Sequence, residues 1–211
     1  MADDIFLTEE EQVRQVKQWL KKNGPSILFG IVLGLSLIFG YNYYTDSKIK
    51  TAQKASAVYQ TIFSSEDSLN LVAKEVDLFK SDYVDTPYAA KVVLLNAKRL
   101  AESGKVEKAI DELSWVINNN KEELIEHTAR IRKAKLLILN DKLSEAQNTI
   151  TVENIEGFES YYDELNGDIA AKNKQFKKAA EFYTSAINNA SNARYNTYLQ
   201  LKINKMNSLS K

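Results

Sequence analysis

Apolar and polar positions follow three patterns along this chain. Ser26 to Tyr44 reads SILFGIVLGLSLIFGYNYY, an unbroken run without a charged side chain. Ahead of it, Val13, Val16, Trp19 and Leu20 recur at helical spacing among charged residues, as on one face of an amphipathic helix. Beyond Asp46 the apolar residues fall three and four apart in short runs divided by polar turns. That is the pattern of helix, turn, helix, with few breakers.

The central run predicts a transmembrane helix. As a helix it is roughly 28 Å long at about 1.5 Å per residue, close to the hydrocarbon thickness of a bilayer. Tyr41, Tyr43 and Tyr44 then fall at one interface, where an amphipathic ring is comfortable. A cleaved leader would have a shorter apolar core and small residues after it. Here the run ends in Tyr-Asn-Tyr-Tyr, so the anchor is expected to stay attached. Arg14, Lys17, Lys21 and Lys22 precede the span, whereas Lys48, Lys50 and Lys54 follow it. Positive charge kept on the cytoplasmic side places the amino end in the cytoplasm and the larger carboxy-terminal part across the membrane.

The leading amphipathic helix has capping-box spacing at Thr8 and Glu11, and Asn23-Gly24-Pro25 is expected to end it. Its apolar stripe suits the inner leaflet surface, and Trp19 with Leu20 form a candidate docking point for a cytoplasmic partner. Within the span, Gly30 and Gly34 lie four apart, and Ser36 and Gly40 repeat that spacing on another face. Small residues let a second helix approach closely, so these four are candidate helix contacts.

Three stretches of the carboxy-terminal part align: Asn96 to Ile117, Lys133 to Ile150 and Asn166 to Ile187. Each first helix has a small residue (Ala97, Ala134 or Gly167) and, three later, Leu100, Leu137 or Ala170. After the turn, Val106, Leu143 or Phe176 opens the second helix. Ala109, Ala146 and Ala179 follow, then Leu113, Ile150 and Tyr183. The alanines recur at 37 and 33 residues, near the roughly 34-residue tetratricopeptide period. No proline closes the units, and the second has a short second helix before Glu153-Asn154-Ile155. Ser47 to Tyr83 predicts a further pair with a break near Ser64-Ser65, its first helix running on from the span. A last helix from about Asn192 to Leu209 carries Tyr195, Leu199, Ile203 and Met206 on one side and caps the stack. The expected fold is all-α: an amphipathic segment over 1–24, a transmembrane helix over 25–45, and a tetratricopeptide-like helical-repeat solenoid over 46–211.

Composition removes several classes of function. Lys plus Arg and Asp plus Glu each total 28, so the net charge is zero and nothing draws the chain to nucleic acid. There is no cysteine and one histidine, His127, which leaves almost nothing for metal or nucleophile chemistry. Glu123, Glu126 and Arg130 around His127 suggest a solvated helix face. Gly157 and Gly167 have no following Lys-Ser or Lys-Thr and make no phosphate loop. Asp163, Glu164 and Asp168 read as ordinary surface carboxylates. No catalytic, cofactor or metal residues are expected. Binding is what a repeat stack offers, along the groove of its first helices. Tyr88, Tyr161, Tyr162, Tyr183, Tyr195 and Tyr198 are divided between that surface and the core.

Glu10 to Tyr44, EEQVRQVKQWLKKNGPSILFGIVLGLSLIFGYNYY, resembles the amino end of YfgM-type proteins, the ancillary tetratricopeptide-like subunits of the bacterial Sec translocon. The likeness continues through KIKTAQKASAVYQ (Lys48 to Gln60), the repeat core around Gly104 to Ala109, and LKINKMNSL (Leu201 to Leu209). The resemblance implies an inner-membrane protein with periplasmic repeats, associated with SecYEG and with a PpiD-like membrane-anchored periplasmic chaperone. It implies a task in passing translocating polypeptides to periplasmic chaperones, and it brings no catalytic or contact residues. The residues alone leave open a scaffold or regulator of an envelope complex that never meets nascent chains.

Overall fold

The computed structural model describes residues 9–65 and 68–210. Among these the chain is helical throughout, without strands: α1 (Glu9–Ser64), α2 (Ser68–Ser81), α3 (Pro87–Glu102), α4 (Val106–Asn119), α5 (Glu123–Leu139), α6 (Leu143–Ile150), α7 (Glu159–Lys172), α8 (Phe176–Asn188) and α9 (Ala193–Leu209). Two compact units divide it, Met1–Gln53 and Lys54–Lys211.

In the first unit the expected break at Asn23-Gly24-Pro25 is absent, because α1 runs through it with Pro25 inside the helix. Proline removes one backbone donor, whereas ending the helix here would orphan up to eight backbone groups at the two new ends. The Asn23 amide donates to the Trp19 carbonyl at 3.0 Å and helps hold this turn. Thr8, half of the expected capping box, lies outside the described residues. Among the described residues nothing buries the apolar window of α1, which by length and composition is a candidate membrane span.

The second unit is a stack of helix pairs. As expected, α1 ends at Ser64 and α2 follows, with Ala55, Ile62, Val72 and Phe79 packing on Ala89 and Val92 of α3. Then α3 pairs with α4, α5 with α6, and α7 with α8, while α9 packs on α8. The aligned small residues Ala97, Ala134, Ala109, Ala146 and Ala179 are all buried where helices cross. At Gly167 the approach is close, since a Cβ there would clash with the edge of the Tyr183 ring. The short α6 is completed from outside the helix. Val152, Ile155 and Phe158 of the following loop pack on Leu137, Ala146, Ile150 and Leu165.

One turn recurs in all three pairs. Gly104, Asp141 and Lys174 have φ of 75°, 57° and 60°. The next amide closes back on the first helix each time, Lys105 to Leu100 at 2.8 Å, Lys142 to Leu137 at 2.9 Å, and Gln175 to Ala170 at 2.9 Å. This is the left-handed helix stop that glycine adopts freely and other residues adopt under strain. Asn192 caps α9, accepting from the backbone N–H of Arg194 and Tyr195 at 3.0 and 3.1 Å. Leu199, Ile203 and Met206 are buried beneath that cap, as the spacing predicted.

Candidate functional site

The first helices of the last two pairs and the capping helix share one face, and a buried carboxylate joins them. Glu164 on α7 is only 1% exposed. It accepts from Lys202 at 2.8 Å and Tyr195 at 2.7 Å, both on α9, and from Lys135 on α5 at 3.5 Å. Asp168, one turn further along α7, accepts from Lys202 at 2.6 Å and from the Tyr183 hydroxyl at 2.7 Å. Burial alone would push the Glu164 carboxyl up. The Lys202 hydrogen bond, the charges of Lys135 and Lys202, and the Tyr195 hydroxyl outweigh it and hold the group below the usual carboxylate range. Lys202 loses water too, yet the charge and hydrogen bond of Asp168, with Glu164 and Tyr198, raise it above an ordinary lysine. Burial, then Asp168, raises Tyr183, and burial with the Glu164 hydrogen bond raises Tyr195, so both hydroxyls stay protonated donors.

Around this network lies exposed apolar surface. The Tyr161 and Tyr195 rings are 5.4 Å apart, and Tyr195 stacks on Tyr198 at 6.2 Å. Tyr161 and Tyr198 are exposed. Leu201 is 65% exposed beside Tyr198 on α9. On α5, Leu124 and Leu139 lie on the side that presents Lys135, and Leu139 is 72% exposed. The arrangement offers exposed rings and leucines beside paired charges.

Several residues are not where the sequence placed them. His127 is not solvated: it is 4% exposed, its Nδ1 lies 2.6 Å from the Tyr162 hydroxyl, and Phe158 stacks on it at 4.4 Å. Glu164 is not a surface carboxylate either, for the reasons above, and Asp163 accepts from Ser185 at 2.7 Å. Of the tyrosines, Tyr162 and Tyr183 are core, Tyr88 and Tyr195 are partly buried, and Tyr161 and Tyr198 face out.

In α1, Trp19 and Leu20 are exposed. Among the described residues, no atom beyond the helix's own backbone and chain neighbours lies within 4 Å of a Cβ built on Gly30, Gly34 or Gly40. Ser36 spends its proton on the Val32 carbonyl at 2.8 Å.

The family model of the tetratricopeptide repeat-like domain matches residues 17–208. The chain belongs to this tetratricopeptide repeat-like family. Among its relatives, a protein of Haemophilus influenzae is 26% identical over 77% of this chain and 80% of its own length. One from Escherichia coli K12 is 22% identical over 96% of this chain and 98% of its own. One from Aggregatibacter actinomycetemcomitans is 24% identical over 95% and 98%. Each of the three bears the name ancillary SecYEG translocon subunit. The resemblance to YfgM-type proteins is thus confirmed. The match begins within α1 and ends within α9, so candidate span and tetratricopeptide repeat-like stack fall under one family description.

Proposed function

We propose that the chain is a non-catalytic ancillary subunit of the Sec translocon. Its amino end lies in the cytoplasm, residues 25–45 cross the inner membrane, and the repeat domain from 46 onward stands in the periplasm. There it helps hand translocating polypeptides from SecYEG to a PpiD-like membrane-anchored chaperone. The observation that carries this reading is the end-to-end match to relatives bearing that name, span and repeats together. The excess of positive charge before the span supports the orientation. The mechanism is tethering: the anchor raises the local concentration of a weakly binding face beside the channel. Gly30, Gly34, Ser36 and Gly40 are the proposed contacts with membrane partners, and Trp19 and Leu20 the proposed cytoplasmic docking point.

Site-specific photocrosslinking in cells tests this, with probes replacing Ser36 and Tyr161. Adducts to SecY or the chaperone from Ser36, with adducts to exported chains from Tyr161, are expected. Partner adducts without client adducts would leave a scaffold only. Adducts to neither, with the partners expressed, would overturn the assignment. Gly30→Leu with Gly34→Leu is expected to reduce co-purification with membrane partners while helical content stays unchanged.

A further inference from the structure

We infer that the face shared by α5, α7 and α9 selects its ligand by charge, taking extended apolar segments flanked by acidic residues and disfavouring those flanked by basic ones. This deepens the proposal above and rests on it for the source of the segments. The two carboxylates of the face are spent, since Glu164 is buried on Lys202, Lys135 and Tyr195, and Asp168 is bound by Lys202 and Tyr183. Neither offers a basic ligand a free negative charge. On the outward stripe of α9 the charges left in solvent are positive. Arg132 of α5 and Arg194 and Lys205 of α9 are exposed, and none forms an ion pair among the described residues.

Sequence makes the asymmetry firm on α9. ARYNTYLQLKINKMNSL contains no Asp or Glu, so no carboxylate on that helix can compensate. At helical spacing Arg194, Tyr198, Leu201 and Lys205 form its outward stripe, two apolar side chains between two cations. On α5 the apolar Leu139 follows Arg132 and Lys135. An extended chain advances about 3.3 Å per residue, so a short segment can set a bulky side chain on the Tyr198–Leu201 ledge and a carboxylate against either cation. A ligand with lysines at those places meets like charge instead.

The test uses the full chain in phosphatidylcholine nanodiscs, which carry no net lipid charge. Three fluorescent peptides share one core of alternating leucine and serine and differ in flanks of aspartate, serine or lysine; binding is read by anisotropy. The Asp-flanked peptide is expected to bind about fivefold more tightly than the Lys-flanked one, a few exposed ion pairs' worth, with the gap closing at high salt. Leu139→Ser with Leu201→Ser, both at exposed positions, weakens all three peptides. Arg194→Ala with Lys205→Ala narrows the gap between the Asp-flanked and Lys-flanked peptides. Equal or tighter binding of the Lys-flanked peptide, a preference untouched by the Arg194 and Lys205 changes, or binding untouched by the leucine changes would each overturn the inference. So would no binding of any peptide. Crosslinking from Ser36 to the translocon reports on the other reading separately and can succeed when this fails.

Discussion

Glu164 and Lys202 are 38 residues apart in sequence and 2.8 Å apart in space, one buried and the other partly exposed. Removing Glu164 leaves Lys202 to Asp168 alone and strips the Tyr195 hydroxyl of its acceptor in a largely dehydrated place. Glu164→Leu is therefore expected to destabilise the repeat domain by about 3 kcal/mol, read from the urea midpoint of the full chain in detergent by circular dichroism. With Lys202→Met added, the total should fall at least about 1 kcal/mol short of the summed single changes. Strict additivity would show that the two are not an energetic unit.

The same pair fixes an acid dependence. Because Glu164 titrates below its ordinary 4.5 when folded, its contribution is complete above that range and is lost as pH falls through and below it. The stability difference between the native chain and Glu164→Gln should stay constant at neutral pH and shrink in acid. A difference that grows on acidification contradicts the placement of this carboxylate.

Gly167→Ala pits helix propensity against space. Alanine gains about 1 kcal/mol in a helix interior. Its methyl would meet the Tyr183 ring, which cannot swing away because its hydroxyl is tied to Asp168 and Lys202 sits 5.0 Å over its face. Net destabilisation of roughly 1–3 kcal/mol is expected. Gly167→Ala combined with Tyr183→Leu should recover part of it, measured by the same unfolding curve.

Lys174→Gly is expected to stabilise. Lys174 holds φ of 60° at the position where the first repeat has Gly104. Relief of left-handed strain outweighs the added freedom of the unfolded chain by about 0.5–1 kcal/mol. Gly104→Ala should move the midpoint the opposite way.

The repeat architecture was legible because small residues mark each crossing: Ala97, Ala134, Gly167, Ala109, Ala146 and Ala179 are where the helices meet. The signal for His127 was present and outweighed by its charged neighbours, since it lies seven residues before Ala134 and eleven before Ile138, on their buried side. Glu164 had no local signal at all. Its partners come from 29, 31 and 38 residues away, beyond any periodicity of its own helix. Pro25 misled for a physical reason, because losing one backbone donor inside a long helix costs less than opening two new helix ends.

Repeat stacks are commonly treated as rows of dominoes, each unit sensing only the next, so that terminal pieces fray first. The buried carboxylate on α7 departs from that picture, since it is held at once by α5 before it and α9 after it. Unwinding α9 would strip Glu164 of Lys202 and Tyr195 together and loosen the side chain that Lys135 of α5 holds. The carboxy-terminal end is therefore expected to melt as one block from α5 to α9, its exposed ledge present whole or lost whole.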